Sequence, residues 1–168
     1  MKKIIFFVSA IFLIGQASAS FATQGDNYYG TLNSILQYSR QHNPEKAKQF
    51  VTSDSAGLFD RIYKHKLFFL LPQNVNTGSK YTESGFDYVE FSDPQISKDR
   101  YATLAFKQDG DSKKLDLPET FRIAFGDSWK ETLNTIESTY MLVNQMYGTK
   151  QSEKFVKSVQ GLWTNREQ

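Results

Sequence analysis

The hydrophobic pattern of this chain changes period twice, from helical to alternating and back to helical, and few architectures accept that order. Tyr28, Leu32, Ile35 and Leu36 recur at helical spacing until Asn43-Pro44 interrupts them. Asn43 is placed to cap a second, short helix with Pro44 at its first position and Ala47, Phe50 and Val51 on one side. Thr52-Ser53-Asp54-Ser55 then supplies capping residues, and Ala56, Phe59, Ile62, Tyr63 and Leu67 form a third helical stripe that Pro72 ends. The apolar run Leu67-Phe68-Phe69-Leu70-Leu71 predicts that this helix end lies deep in the core.

From Pro72 to Gly85 the chain is rich in Asn, Thr, Ser and Gly and reads as a loop. The period then becomes two. Phe86 to Phe91, Tyr101 to Phe106, and Phe121, Ile123 and Phe125 each alternate and predict three strands, the first two separated at Asp93-Pro94. The polar tract Asp109-Gly110-Asp111-Ser112 turns the second strand into the third. Such short polar connections favour an antiparallel sheet with one face covered.

After Gly126 the helical period returns. Trp129, Leu133, Ile136, Tyr140, Val143 and Tyr147 step by four and three in turn, with Ser128 and Glu131 at the spacing of a capping box and Gly148 as terminator. Phe155, Val156, Val159, Leu162 and Trp163 describe a last helix folded back on this one. On the long helix, Tyr140, Val143 and Tyr147 are expected in the core. Leu142 and Met146 form a second stripe, expected to pack against Val156, Val159 and Trp163 and to edge a groove. The whole predicts one α+β domain over residues 20–168, with N-terminal helices, a three-to-four-stranded antiparallel sheet and a C-terminal helical hairpin. Helices followed by a curved antiparallel sheet resemble the NTF2-like (cystatin-like) cone in outline, and the helical tail after Gly126 departs from it.

The N-terminus carries an address. Met1-Lys2-Lys3, the apolar run from Ile4 to Gly15 and the small residues Ala17-Ser18-Ala19 have the order of a secretory signal, so residues 1–19 are read as a leader cleaved before Ser20, with cleavage after Ala22 as the alternative, and the mature chain as periplasmic or extracellular. The apolar run is too short to span a bilayer, and no integral membrane segment is expected after cleavage. The absence of Cys excludes a disulfide scaffold, a thiol nucleophile and a Cys-ligated zinc site.

Loss of Lys2 and Lys3 with the leader leaves equal numbers of acidic and basic side chains, which with export argues against nucleic acid as a partner. The charge is nevertheless uneven. Arg40, Lys46, Lys48, Arg61, Lys64 and Lys66 outnumber Glu45, Asp54 and Asp60 in residues 40–66, where His42 and His65 also lie, whereas residues 81–131 are acidic. Arg61 and His65 therefore mark a basic edge able to attract an acidic partner.

Few residues suggest chemistry. Phe125-Gly126-Asp127-Ser128 resembles the first block of the GDSL esterase/lipase family, in which that serine is the nucleophile. The resemblance implies a histidine near the C-terminus as its base. Both histidines here, His42 and His65, lie upstream, so capping of the following helix is the expected role. Asp87 and Glu90 point to opposite faces of their strand and form no local acid/base pair. Asp109 and Asp111 lack the further oxygen ligands of a calcium loop. No catalytic, cofactor-binding or metal-ligating residue is assigned, and no cofactor is expected.

The chain is rich in aromatics, with 14 Phe, 9 Tyr and 2 Trp. Tyrosines suit interfaces and pocket mouths because the ring buries while the hydroxyl stays wet, and Tyr88 and Tyr101 are candidates. With Arg61, His65, Leu142, Met146 and Trp163 they make up the candidate binding surface. The expected function is a non-catalytic periplasmic or secreted protein that binds another protein, such as an envelope assembly factor or an inhibitor of an exported toxin or enzyme. A carrier of a small apolar ligand in an aromatic pocket under the sheet is the alternative, and a hydrolase the third.

Overall fold

The computed structural model describes residues 27–73, 76–92 and 101–163, the side chains of 160–163 excepted. The leader pattern of residues 1–19, the Asp93-Pro94 break and the Trp163 side chain lie outside the described residues. Three helices come first: α1 (Tyr28–Arg40), α2 (Pro44–Lys48) and α3 (Ala56–Lys64). Asn27 and Asn43 cap the first two by accepting from the amides of Gly30 and Lys46. α3 ends at Lys64, short of the expected stop at Pro72: Lys66 takes a left-handed conformation at φ 54° and a separate 3-10 turn covers Leu67–Leu70. The expected deep position holds, with Leu67, Phe68, Leu70 and Leu71 buried.

Four strands follow in a simple antiparallel meander, β1 (Asn76–Glu83), β2 (Phe86–Ser92), β3 (Tyr101–Asp109) and β4 (Ser112–Asp116), each paired with the next. β2 and β3 are the strands that alternation predicts. β1 corrects the reading of Pro72 to Gly85 as loop. Every residue of β1 is exposed, so it has no apolar face to betray it; its backbone ladder with β2 holds it, across a two-residue turn in which Ser84 and Gly85 both have positive φ. Charged side chains on this open edge, Lys80 and Glu83, discourage further strand pairing. The opposite edge is covered, because Thr52 donates to the Leu115 carbonyl and Leu115 donates to that of Phe50.

The third predicted strand is also corrected. Phe121, Ile123 and Phe125 lie in a helix, α4 (Leu117–Phe125), while the strand after the Gly110 turn is β4. Asp116 caps α4 by accepting from the Glu119 amide, Pro118 stands in its first turn, and Phe121 and Phe125 stack one helical turn apart. Phe121 and Phe125 satisfy both periods, and the cap decides between them.

α5 (Trp129–Tyr147) and α6 (Thr149–Trp163) form the expected hairpin, joined by Gly148 at φ 81°. Leu133, Ile136 and Tyr140 enter the core, but Tyr147 is exposed, a correction to the first stripe. The second stripe is not enclosed against α6 either, since Leu142 and Met146 are both more than half exposed. The one-residue link lays α6 on the side of α5 that carries Asn144, where buried Ser152 donates to its side chain. Leu142 lies two residues from Asn144 and from Tyr140, about 200° around the helix from each, and so faces away. Ser128 occupies the cap position of α5 without a side-chain bond, so the predicted capping box is not made.

One cluster of buried side chains draws on every α-helix, the 3-10 turn at Leu67–Leu70 and all strands but β1. α1 lies on the sheet face that carries Asp87, Val89, Phe91, Leu104 and Phe106, and the Tyr28 ring meets that of Phe106 edge-on at 5.0 Å. α4 packs against β3, where Thr120 accepts from the Ala105 amide.

Candidate functional site

The sequence candidates fall into three separate places. Tyr88 and Tyr101 belong to the sheet face away from α1. Tyr88 is buried, stacks on its cross-strand partner Tyr81 at 4.8 Å and donates to Glu119 at 2.8 Å, while Arg122 holds the same carboxylate from the other side. Burial, and then this bond to a carboxylate, push the Tyr88 phenol up to about 12. The Arg122 guanidinium in turn holds the Glu119 carboxyl below its ordinary range, against the opposing effect of burial. Tyr101 lies against β1 at Gly78, where an added Cβ would come 3.0 Å from its ring.

Arg61 of α3 and His65, which caps its C-terminal end, both reach Glu137 of α5. The Arg61 guanidinium donates to Glu137 and, at 2.6 Å, to Asn134; His65 Nε2 lies 2.9 Å from the other Glu137 oxygen. The basic edge that sequence offers to an acidic partner thus meets a carboxylate of its own chain.

Leu142 and Met146 are 55% and 60% exposed and, with Met141 and Tyr147, form an apolar end to α5. No charged residue lies between Glu137 and Lys150, so this end of the helix is also uncharged.

Two constellations were not anticipated. The first surrounds Asp87, buried where α1 crosses the sheet. It accepts from Tyr28 at 2.8 Å and Thr82 at 2.6 Å and pairs with Lys113 at 2.7 Å. Burial pushes its carboxyl up, but the bonds from Lys113, Thr82 and Tyr28 together prevail and hold it at about 2. Lys80 closes the ring, donating to the Tyr28 hydroxyl and lying over its aromatic face. A carboxylate so fully occupied tethers α1 to the sheet and has little left for chemistry. Glu90 lies on the opposite face and accepts from the Ser79 amide, in keeping with the expected lack of a pair.

The second is a cleft of about 360 Å³ among the C-terminal end of α1, the end of α3 and the 3-10 turn. Tyr63, Phe68 and Phe69 make its aromatic wall, and Arg40, His42, Lys64 and Lys66 ring it. The tertiary fold brings together the two ends of the basic stretch 40–66. This aromatic cavity lies among helices and not under the sheet. The usable sequence signal was the apolar run Leu67 to Leu71 directly after Lys64-His65-Lys66: a greasy turn beside fixed cations.

Ser128 is exposed in the turn between α4 and α5, not after a strand; His65 is engaged by Glu137, and His42 lines the cleft. Asp109 accepts from the backbone and hydroxyl of Ser53, which hold its carboxyl below the ordinary range, and so ties the 3-10 turn at Ser53–Ser55 to the end of β3. No family model matches the chain, and neither a curated protein nor a solved structure matches it.

Proposed function

We propose that the protein is an exported, non-catalytic binding protein that contacts another exported protein, in the manner of an envelope assembly factor or an inhibitor of an exported toxin or enzyme. The apolar end of α5 carries this reading. Met141, Leu142, Met146 and Tyr147 leave a large, uncharged surface in water over two helical turns, and such a surface gains free energy when a partner covers it. Unbranched Met side chains adapt to a partner's shape, which suits a contact made by docking. The fitting partner surface is apolar and uncharged; Arg61 and His65 already have Glu137 and contribute little to an acidic contact. Export rests on the leader pattern in residues 1–19.

The test compares the mature chain with Met146→Glu and Leu142→Glu as baits in envelope extract. Both positions are more than half exposed, so the variants should fold with unchanged circular dichroism. A partner retained by the parent and lost from both variants supports the reading. Identical captured sets from all three overturn it. N-terminal analysis of the exported protein should begin at Ser20, and an intact Met1 on the mature, folded protein would remove the export half of the proposal.

A further inference from the structure

The basic cleft plays no part in the α5 contact, and its features point to a ligand of different chemistry. Its wall is aromatic: Tyr63 stacks on Phe68 at 6.1 Å, and Phe68 lies 4.5 Å from Phe69. Its rim is cationic and largely uncompensated. Arg40 donates to the carbonyl and side-chain oxygens of Gln73, both neutral acceptors, and Lys64 has no carboxylate partner among the described residues. Lys66 is balanced by Glu153 at 3.0 Å.

A buried polar group adds an independent sign. Ser39 lines the cleft with 1% exposure, and its hydroxyl is the one buried side-chain polar atom without a hydrogen-bond partner among the described residues. Such orphans are rare and costly, and a ligand that accepts the hydroxyl removes the cost. His42 and Lys66, on the rim, are two of the three described non-glycine residues with positive φ, at 57° and 54°. The backbone is thus held in an uncommon conformation at two residues that line the opening.

We propose that this cleft binds a small aromatic carboxylate, its ring against Tyr63, Phe68 and Phe69 and its acid group between Arg40 and Lys64, with Ser39 as a hydroxyl donor. An uncharged aromatic would leave the cations unused. A phosphate dianion would carry a larger desolvation cost into an apolar cleft. The volume lies in the range of small-molecule sites and excludes a folded partner.

Calorimetry on the full mature chain with 2-naphthoate, 2-naphthamide and acetate tests this. Naphthoate should bind, the isosteric amide about tenfold or more weaker, and acetate not measurably, because charge and ring are both needed. Arg40→Gln with Lys64→Gln, both exposed positions, should weaken naphthoate about tenfold or more while leaving the melting temperature nearly unchanged. Phe69→Ala should weaken naphthoate and naphthamide alike. Met146→Glu serves as a control that should leave naphthoate affinity unaltered, since it alters only the α5 surface. Failure of naphthoate to bind, equal affinity for the amide, or loss of binding in Met146→Glu with none in the double variant would each overturn the assignment, whatever the fate of the α5 proposal.

Discussion

Lys113 Nζ lies 2.7 Å from Asp87 Oδ2, and the pair reaches from β4 to β2 across the intervening strand β3. Because Tyr28 of α1 donates to the same oxygen, one buried carboxylate joins the first helix to three strands' worth of sheet. Its energetics follow from its surroundings. The folded carboxyl, at about 2, lies below its ordinary value of 3.8.

A depressed folded value means that stability is present above the unfolded value and is lost as pH falls from about 4 toward 2, by about 2 kcal/mol in all. Asp87→Asn should lower stability at pH 7 by about 2 to 4 kcal/mol, since it leaves the Lys113 ammonium without its counter-charge. The gap between parent and variant should then narrow below pH 4. Urea unfolding at pH 7, 4 and 2.5 measures both effects; a gap independent of pH would refute the account.

Ser39→Ala should raise the stability of the unliganded protein by about 1 kcal/mol, because it removes a buried hydroxyl that has no partner. Chemical denaturation checks this. A destabilised variant would mean that the hydroxyl is satisfied within the chain and would weaken the argument for the cleft.

His42→Gly should also stabilise, by about 0.5 to 1 kcal/mol. A side chain at φ 57° crowds its own backbone, and glycine relieves that at the cost of a floppier unfolded chain. A fall in melting temperature would show that the imidazole makes a contact worth more than the relief.

Two caps separate geometry from motif. Ser128→Ala should change stability by less than about 0.5 kcal/mol, since the Ser128 hydroxyl makes no capping bond and is exposed. Asp116→Ala should cost about 1 to 2 kcal/mol, because Asp116 accepts from the Glu119 amide and from Thr52. Equal melting temperatures for the two variants would refute this. Reaction of Ser128 with a fluorophosphonate probe would revive the esterase resemblance.

The α+β order, the caps at Asn43-Pro44, the stop at Gly148 and the burial of Leu67, Phe68, Leu70 and Leu71 were legible from residue type and spacing. Each depends on neighbours within one or two helical turns. Of the binding candidates, Leu142 and Met146 were found by their apolar type, but their exposure was not. It depends on which side of α5 the hairpin link places α6. Arg61 and His65 were found by their charge, while their acceptor Glu137 lies more than 70 residues further on.

By itself the sequence determined which segments carry an apolar face and some helix ends, the cap at Asn43 and the stop at Gly148 among them, because periodicity and capping residues record an element's own surroundings. It missed α4 and ran α3 on to Pro72. It was silent on β1, whose residues are all exposed and which is held by its backbone ladder with β2 and by cross-strand contacts such as Thr82 to Asp87 and Tyr81 to Tyr88. It was divided over Phe121 and Phe125, whose spacing suits both a helix and a strand. Tertiary structure alone decided the Asp87 tether and the basic aromatic cleft. The tether is assembled from α1, three strands and one ion pair, and the cleft from residues at both ends of the stretch 39–69. Hydrogen bonds and charge pairs act over a few ångströms in space, and distance along the chain carries no record of which polar groups the packed helices will bring within that reach.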